Sequence, residues 1–126
     1  MRIILADHHA QPRWALITAL QEQPDIDLIG EAIDGQDLLT QAEHHAVDLV
    51  LVDRELPGLF IGDLITSLHA LEPKPIVVVM SNDFEYSRVL LKAGADAFVS
   101  KGDEPDWLLE KLHRYSEITN LSGGCK

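Results

Sequence analysis

The sequence predicts an α/β fold in which a parallel sheet of five strands is doubly wound, with helices on both faces. Two observations predict it. Short apolar runs recur at intervals of a little over twenty residues, and continuously apolar runs are typical of parallel strands covered on both faces. Each interval between runs contains apolar residues at helical spacing. Strands alternating with helices favour right-handed crossovers and a (βα)5 unit.

The individual elements follow from these runs and from the residues that interrupt them. The predicted strands are residues 3–6, 26–29, 49–52, 76–80 and 97–99. The clearest helical stripe lies between the third and fourth strands and consists of Ile61, Leu64, Ile65, Leu68 and Leu71. Apolar pairs at i, i+4 predict the other four helices: Leu16 with Leu20, Leu38 with Ala42, Tyr86 with Leu90, and Leu108 with Leu112.

Proline and glycine agree with the predicted helix boundaries. Pro24 is expected to end the first helix, and Gly94 stands where a helix C-cap belongs. Pro105 suits the first turn of the last helix. The alternation of strands and helices therefore has matching start and stop signals.

Composition narrows the class of protein. The chain has 126 residues, which is enough for one domain with its own hydrophobic core. A formal net charge of -11 predicts no direct binding to nucleic acid or to anionic lipid. The only cysteine, Cys125, excludes a disulfide within the chain, and no apolar run approaches the length of a membrane helix. We expect a cytoplasmic protein.

Polar residues follow four of the apolar runs. Asp7 follows the first, Asp53 the third, Ser81 the fourth and Lys101 the fifth. In an open α/β sheet, ligands bind outside the carboxyl ends of the strands. A carboxylate there can act as a nucleophile toward a phosphoryl group if a divalent cation or a lysine neutralises the charge. A helix cap is the alternative role for any one of these residues taken alone, Ser81 above all.

Four motifs follow one another along the chain: IILAD at 3–7, DLVLVD at 48–53 with LPG at 56–58, VVMS at 78–81 and AGADAFVSK at 93–101. With these motifs the sequence resembles the receiver domain of two-component response regulators over nearly the whole chain. The residues of these motifs are most similar to those of the branch that carries a LuxR-type helix-turn-helix as its output domain. The resemblance implies a flavodoxin-like fold with strand order 2-1-3-4-5 and no enzymatic activity of its own.

The resemblance also implies a role for individual residues. Asp53 matches the aspartate that accepts a phosphoryl group from a histidine kinase. Asp7, Asp53 and the backbone carbonyl of Glu55 match the magnesium ligands. Ser81 and Lys101 match the groups that contact the phosphoryl oxygens, and Phe98 matches the aromatic switch residue. The implied function is a phosphorylation-controlled signalling switch in the regulation of transcription.

Several pocket residues depart from the family pattern. His8 replaces the second acid that normally follows the first strand, and imidazole is a poor magnesium ligand. His8 with Asp7 and Asp53 could instead hold zinc or manganese, or His8 could simply fill the site and hydrogen-bond to Asp53. Asn82 is bulkier than the small residue usual after the hydroxyl, and the Glu55 carboxylate could enter the pocket. These departures predict weakened or altered phosphorylation.

Alternative functions and the boundaries of the domain stay open at this point. A degenerate receiver would act through phosphorylation-independent protein contacts, and a flavin-binding module or small enzyme would use the same architecture. We expect residues 1–115 to form the domain, with 116–126 as the helix end and a flexible tail or linker stump. Trp14 and Trp107 lie near the starts of helices that some receivers use to form homodimers; partial burial against the sheet is the alternative.

Overall fold

Strands and helices alternate along the chain as predicted. A computed structural model describes residues 1–101 and 108–114. Residues 108–114 are helical and are called α5. The preceding elements, in chain order, are β1 (Arg2–Ala6), α1 (Ala10–Gln21), β2 (Asp27–Ala32), α2 (Gly35–His44), β3 (Leu49–Asp53), α3 (Ile61–His69), β4 (Ile76–Ser81), α4 (Ser87–Lys92) and β5 (Ala97–Ser100).

The strands form one parallel sheet of five with the order β2-β1-β3-β4-β5, which confirms the predicted topology. β1 and β3 are neighbours, with Ala6 in register with Val52. The chain crosses to opposite sides of the sheet after these two strands, so their carboxyl ends flank the point where strand order reverses. A crevice is expected at that point.

Two hydrophobic cores, one on each face of the sheet, explain why the strands are continuously apolar. Ile3 and Leu5 of β1 pack with Leu20 of α1 and Leu112 of α5. The alternate residues of the same strand face the other core, which α2, α3 and α4 cover. Because successive strand residues point to opposite faces, the four consecutive apolar residues of β1, Ile3 to Ala6, are all buried.

Gly94 ends α4 in the way that the sequence predicts. It adopts a φ of 111°, which a residue with a Cβ rarely tolerates. The Ala95 amide donates to the carbonyl of Leu90 at 3.1 Å, and the Gly94 amide donates to that of Leu91 at 3.1 Å. These two bonds form a Schellman motif and turn the chain into β5.

Three local details differ from the predictions. Tyr86 lies in a 3₁₀ turn, Phe84–Tyr86, ahead of α4, because the Asp83 side chain caps that turn by accepting from the Glu85 amide. β2 continues past its apolar run to Ala32, since its backbone keeps pairing with β1. Leu71 lies beyond the end of α3 yet still packs against the core.

Trp14 corrects one interpretation of the sequence. Its side chain is 71% exposed, so the idea that it is partly buried against the sheet was wrong. Pro105, Trp107 and the proposed domain boundary at 115/116 lie outside the described residues. No helix within residues 1–101 or 108–114 is long and apolar enough to cross a lipid bilayer.

Candidate functional site

Asp53 is the last residue of β3 and lies at the centre of the sheet's carboxyl edge. Its side chain is 2% exposed. One carboxylate oxygen, Oδ1, accepts from the Glu55 amide at 3.4 Å. The other, Oδ2, is buried and accepts no hydrogen bond from any described group. A buried carboxylate oxygen without a partner is costly, which is typical of an atom kept for a ligand or a reaction.

Asp7 follows β1 and is fully buried, but both of its carboxylate oxygens have partners. Oδ2 accepts from Lys101 Nζ at 2.7 Å, and Oδ1 accepts from the His9 amide at 2.9 Å. Burial acts to raise the pKa of Asp7, but the bonds from Lys101 and His9, with the charge of Lys101, outweigh it and lower the pKa below its ordinary value. Asp7 is therefore ionised and anchored.

Lys101 connects the two carboxylates. Its backbone amide donates to the carbonyl of Ser81 at 2.9 Å, which extends the pairing of β5 with β4. The side chain is 7% exposed, and Nζ lies 2.7 Å from Asp7 Oδ2 and 3.6 Å from Asp53 Oδ2. The expected convergence of the two acids and the lysine at one rim is thus present in the structure.

Ser81 ends β4 and belongs to a second set of contacts at the same rim. Its hydroxyl accepts from Arg54 Nε at 3.2 Å and from the Asp83 amide at 3.0 Å. Arg54 also donates to Glu55 Oε1 at 3.1 Å and stacks on Tyr86, with Cζ 3.8 Å from the ring centroid. A hydroxyl has two lone pairs and one proton, so Ser81 retains its proton for donation to a further acceptor.

The two histidines after Asp7 occupy the open side of the pocket. His9 Nδ1 lies 3.1 Å from Asp7 Oδ1 and 3.2 Å from Asp53 Oδ2. His8 Nδ1 lies 3.6 Å from Asp53 Oδ2, which is too long for the hydrogen bond considered from the sequence. The family pattern draws attention to His8, whereas in the structure it is His9 that approaches both carboxylates. The signal for His9 was its place in the pair that directly follows the strand-end acid.

The remaining predicted site residues lie around this cluster. The Glu55 carboxylate pairs with Arg54, and its side chain is 55% exposed, so it is not one of the clustered ligand groups. Asn82 is exposed at the rim. Phe98 is buried in the core beneath α4, and its ring meets that of Phe84 edge-on, with centroids 5.9 Å apart.

The donor atoms around Asp53 do not suit magnesium. Asp7, His8, His9 and Asp53 each offer one ligand atom, and these atoms all lie within 4.8 Å of one another. The two carboxylates fit a hard cation, but Mg²⁺ requires oxygen ligands and near-ideal octahedral geometry. Imidazole nitrogens beside Asp53 take the place of oxygens, so the residues fit magnesium poorly.

The sheet order and the rim of acids, hydroxyl and lysine define a class of α/β signalling domain. Residues 3–113 match the family model of the response regulator receiver domain. The chain therefore belongs to the response regulator receiver family, and the prediction from its motifs is confirmed. Members of this family serve in signalling, which leaves the flavin-binding and enzyme alternatives without support.

Relatives among characterised proteins support the same assignment. The nitrate/nitrite response regulator protein NarL of Escherichia coli (strain K12) is 33% identical over 114 residues, which cover 89% of this chain and 53% of that protein. The chain thus spans about half the length of the curated relatives it matches.

Solved structures agree on the fold. The receiver domain of AraT, a response regulator from Geobacillus stearothermophilus, superposes with a TM-score of 0.85 at 22% identity and covers 97% of each chain. A LuxR-family DNA-binding response regulator from Staphylococcus aureus gives 0.81 at 18% identity, covering 91% of this chain and 98% of that one. Identities this low show the fold alone.

Proposed function

We propose that this domain is a phosphorylation-controlled switch in which Asp53 accepts a phosphoryl group from a histidine kinase. One observation carries the proposal: Oδ2 of Asp53 is buried, accepts no hydrogen bond from the described residues and lies 3.6 Å from Lys101 Nζ. A nucleophilic oxygen is thereby held next to a fixed positive charge.

The proposed transfer is a single displacement at phosphorus. Asp53 Oδ2 attacks phosphorus, an O–P bond forms, and the P–N bond to the kinase imidazole breaks. The product is an acyl phosphate on Asp53, and the released imidazole takes up a proton from solvent. Lys101 offsets the repulsion between carboxylate and phosphoryl oxygens, and the Ser81 hydroxyl donates its remaining proton to one of those oxygens. Asp7 holds Lys101 in place.

A divalent cation would normally share this charge, because receiver domains typically bind Mg²⁺ at an acidic pocket. On this chain, Asp7, Asp53 and the carbonyl of Glu55 are the proposed oxygen ligands. The imidazoles of His8 and His9 are poor ligands for Mg²⁺ and lie beside these oxygens, so we expect magnesium to accelerate phosphorylation only weakly.

Phosphate would act on the packing of the last strands. It adds about 1.5 to 2 negative charges beside the ends of β4 and β5, and we expect Ser81 and Lys101 to bind the phosphoryl oxygens. We propose that this recruitment alters how Phe98 packs beneath α4, which changes a surface that a partner recognises. The partners we propose are a histidine kinase and a second copy of the domain. Residues 1–115 would form the switch, within a longer transcription regulator or alone.

A second candidate is a receiver that works without phosphate. The observation that favours it is the state of the pocket, where Lys101 already pairs with Asp7 at 2.7 Å and His9 lies 3.2 Å from Asp53 Oδ2. These contacts imitate the neutralised state that phosphate and metal would otherwise create. Such a domain would present its signalling surface constitutively.

Intact-mass measurement after incubation with a small phosphodonor separates the two candidates. The switch predicts a gain of one phosphoryl group that Asp53→Asn abolishes, whereas Asp63→Asn, at an exposed position of α3, leaves it unchanged. Repeating the incubation with and without magnesium is expected to change the rate little. Absence of modification in the parent protein under both conditions would reject the switch and support the constitutive candidate.

A further inference from the structure

Beyond phosphoryl transfer, the pocket combines two carboxylates with two imidazoles at ligand spacing. We infer that Asp7, His8, His9 and Asp53 form a binding site for a borderline transition-metal ion, with Zn²⁺ as the best match. The inference concerns metal binding to the unmodified chain and does not depend on phosphorylation of Asp53.

The distances between the donor atoms fit four-coordinate zinc. Ligands 2.0–2.2 Å from a tetrahedral ion lie about 3.4 Å from one another. Here His9 Nδ1 lies 3.1 Å from Asp7 Oδ1 and 3.2 Å from Asp53 Oδ2, and His8 Nδ1 lies 3.6 Å from that same oxygen. All four donor atoms lie within 4.8 Å of one another, so side-chain movements of roughly an ångström would bring the remaining pairs to this spacing.

The hydrogen-bonding state of Asp53 Oδ2 also points to a ligand. Oδ2 is buried and accepts no hydrogen bond from the described groups, and a metal ion would satisfy it. Asp7 can serve at the same time, because Lys101 binds its Oδ2 and leaves Oδ1 facing the imidazoles. That bond from Lys101 would orient Asp7 as an outer-shell partner.

Charge and access both suit a doubly charged ion. Asp7 and Asp53 attract a cation, because Lys101 offsets only one of their two negative charges, and neutral imidazole is the commonest transition-metal ligand. The side chains of His8 and His9 are 35% and 41% exposed, so an ion can enter from solvent on their side. Mixed nitrogen and oxygen donors favour zinc over magnesium.

Titration of the chain with ZnCl₂, followed by calorimetry, tests the site. All proteins would carry Cys125→Ser, because a thiol binds zinc. We expect one ion per chain at this site, and His8→Gln and His9→Gln should each weaken binding at least about tenfold. His45→Gln, an exposed histidine outside the cluster, is the matched control and should bind as the parent does.

Two further measurements fix the identity of the site. Co²⁺ in place of Zn²⁺ is expected to give the strong visible absorption of a four-coordinate ion, and this absorption should be lost in His9→Gln. Mg²⁺ should bind at least roughly a hundredfold more weakly than Zn²⁺. Equal zinc affinity in the parent, His8→Gln and His9→Gln, or equal affinity for Mg²⁺, would overturn the inference.

If the proposed phosphorylation also holds, zinc would compete with it, because both use Oδ2 of Asp53. This consequence rests on the proposed function, and the two parts fail separately. Modification that proceeds equally with and without saturating zinc contradicts competition, whereas absence of modification in zinc-free protein, both with and without magnesium, contradicts the phosphoacceptor role. The binding titration is affected by neither result.

Discussion

The ends of β1 and β3 carry two carboxylates that are almost equally buried and yet differently used. Asp7 has both oxygens bonded, with Lys101 on one side and the His9 amide on the other. Asp53 leaves Oδ2 without a hydrogen bond among the described residues. Burial alone therefore does not assign a role: the Asp7 carboxylate, with both oxygens bonded, anchors Lys101, whereas we propose that Asp53 Oδ2 receives a phosphoryl group or a metal ion.

The largest effect that would test this comparison is expected for Lys101→Met. The change leaves two buried carboxylates without their shared cation, and removing one partner of a buried ion pair costs about 3–5 kcal/mol. Urea unfolding should show that loss. Lys92→Met, at an exposed position of α4, should change the free energy of unfolding by less than about 1 kcal/mol. A loss of similar size in both variants would contradict the central role of Lys101.

Asparagine substitutions compare the two carboxylates directly. Asp7→Asn removes a bonded charge and should cost about 1–3 kcal/mol of unfolding free energy. Asp53→Asn removes a charge that lies beside the Asp7 carboxylate and whose Oδ2 accepts no hydrogen bond from the described residues. We therefore expect a change within about 1 kcal/mol of zero, or a gain. Both values come from the same urea series. Equal losses at the two positions would show that the carboxylates are used alike.

The pH dependence should show the smallest effect. The pKa of Asp7 is lowered from 3.8 in the unfolded chain, so its ionised form stabilises the fold fully above that pH. The contribution declines as pH falls through the lower folded pKa. The stability difference between the parent and Asp7→Asn should therefore be constant near neutrality and narrow only below about pH 4. A difference that narrows between pH 7 and pH 5 would assign the effect to another group.

Much of the fold follows from the sequence because it depends on local patterns. Continuous apolar runs specify buried parallel strands, and the stripe that begins at Ile61 specifies α3. The local sequence pattern mispredicts two element boundaries, one set by strand pairing and the other by a side-chain cap. β2 continues through Gly30 and Glu31 because β1 supplies hydrogen-bond partners, and Asp83 starts a 3₁₀ turn before α4.

The sequence predicts which residues form the pocket better than it predicts which of them contact one another. Strand-end positions place Asp7, Asp53 and Lys101 at one rim, and the structure brings them together. The roles assigned to them in phosphoryl transfer stay predictions. Adjacent histidines give no spacing rule that says which ring enters a pocket, so the closer approach of His9 could not be obtained from the sequence. The stacking of Arg54 on Tyr86 likewise joins residues distant in the chain.

The sequence by itself determined the strand and helix alternation, the family and the set of polar residues at the sheet's carboxyl edge, because periodicity and strand-end position are properties of the chain order. Only the tertiary structure decided that Lys101 donates its hydrogen bond to Asp7 rather than to Asp53, and that Asp53 Oδ2 accepts none from the residues the structure describes. Those outcomes depend on differences of about an ångström between side chains from separate strands, and electrostatic and hydrogen-bond energies change steeply over such distances.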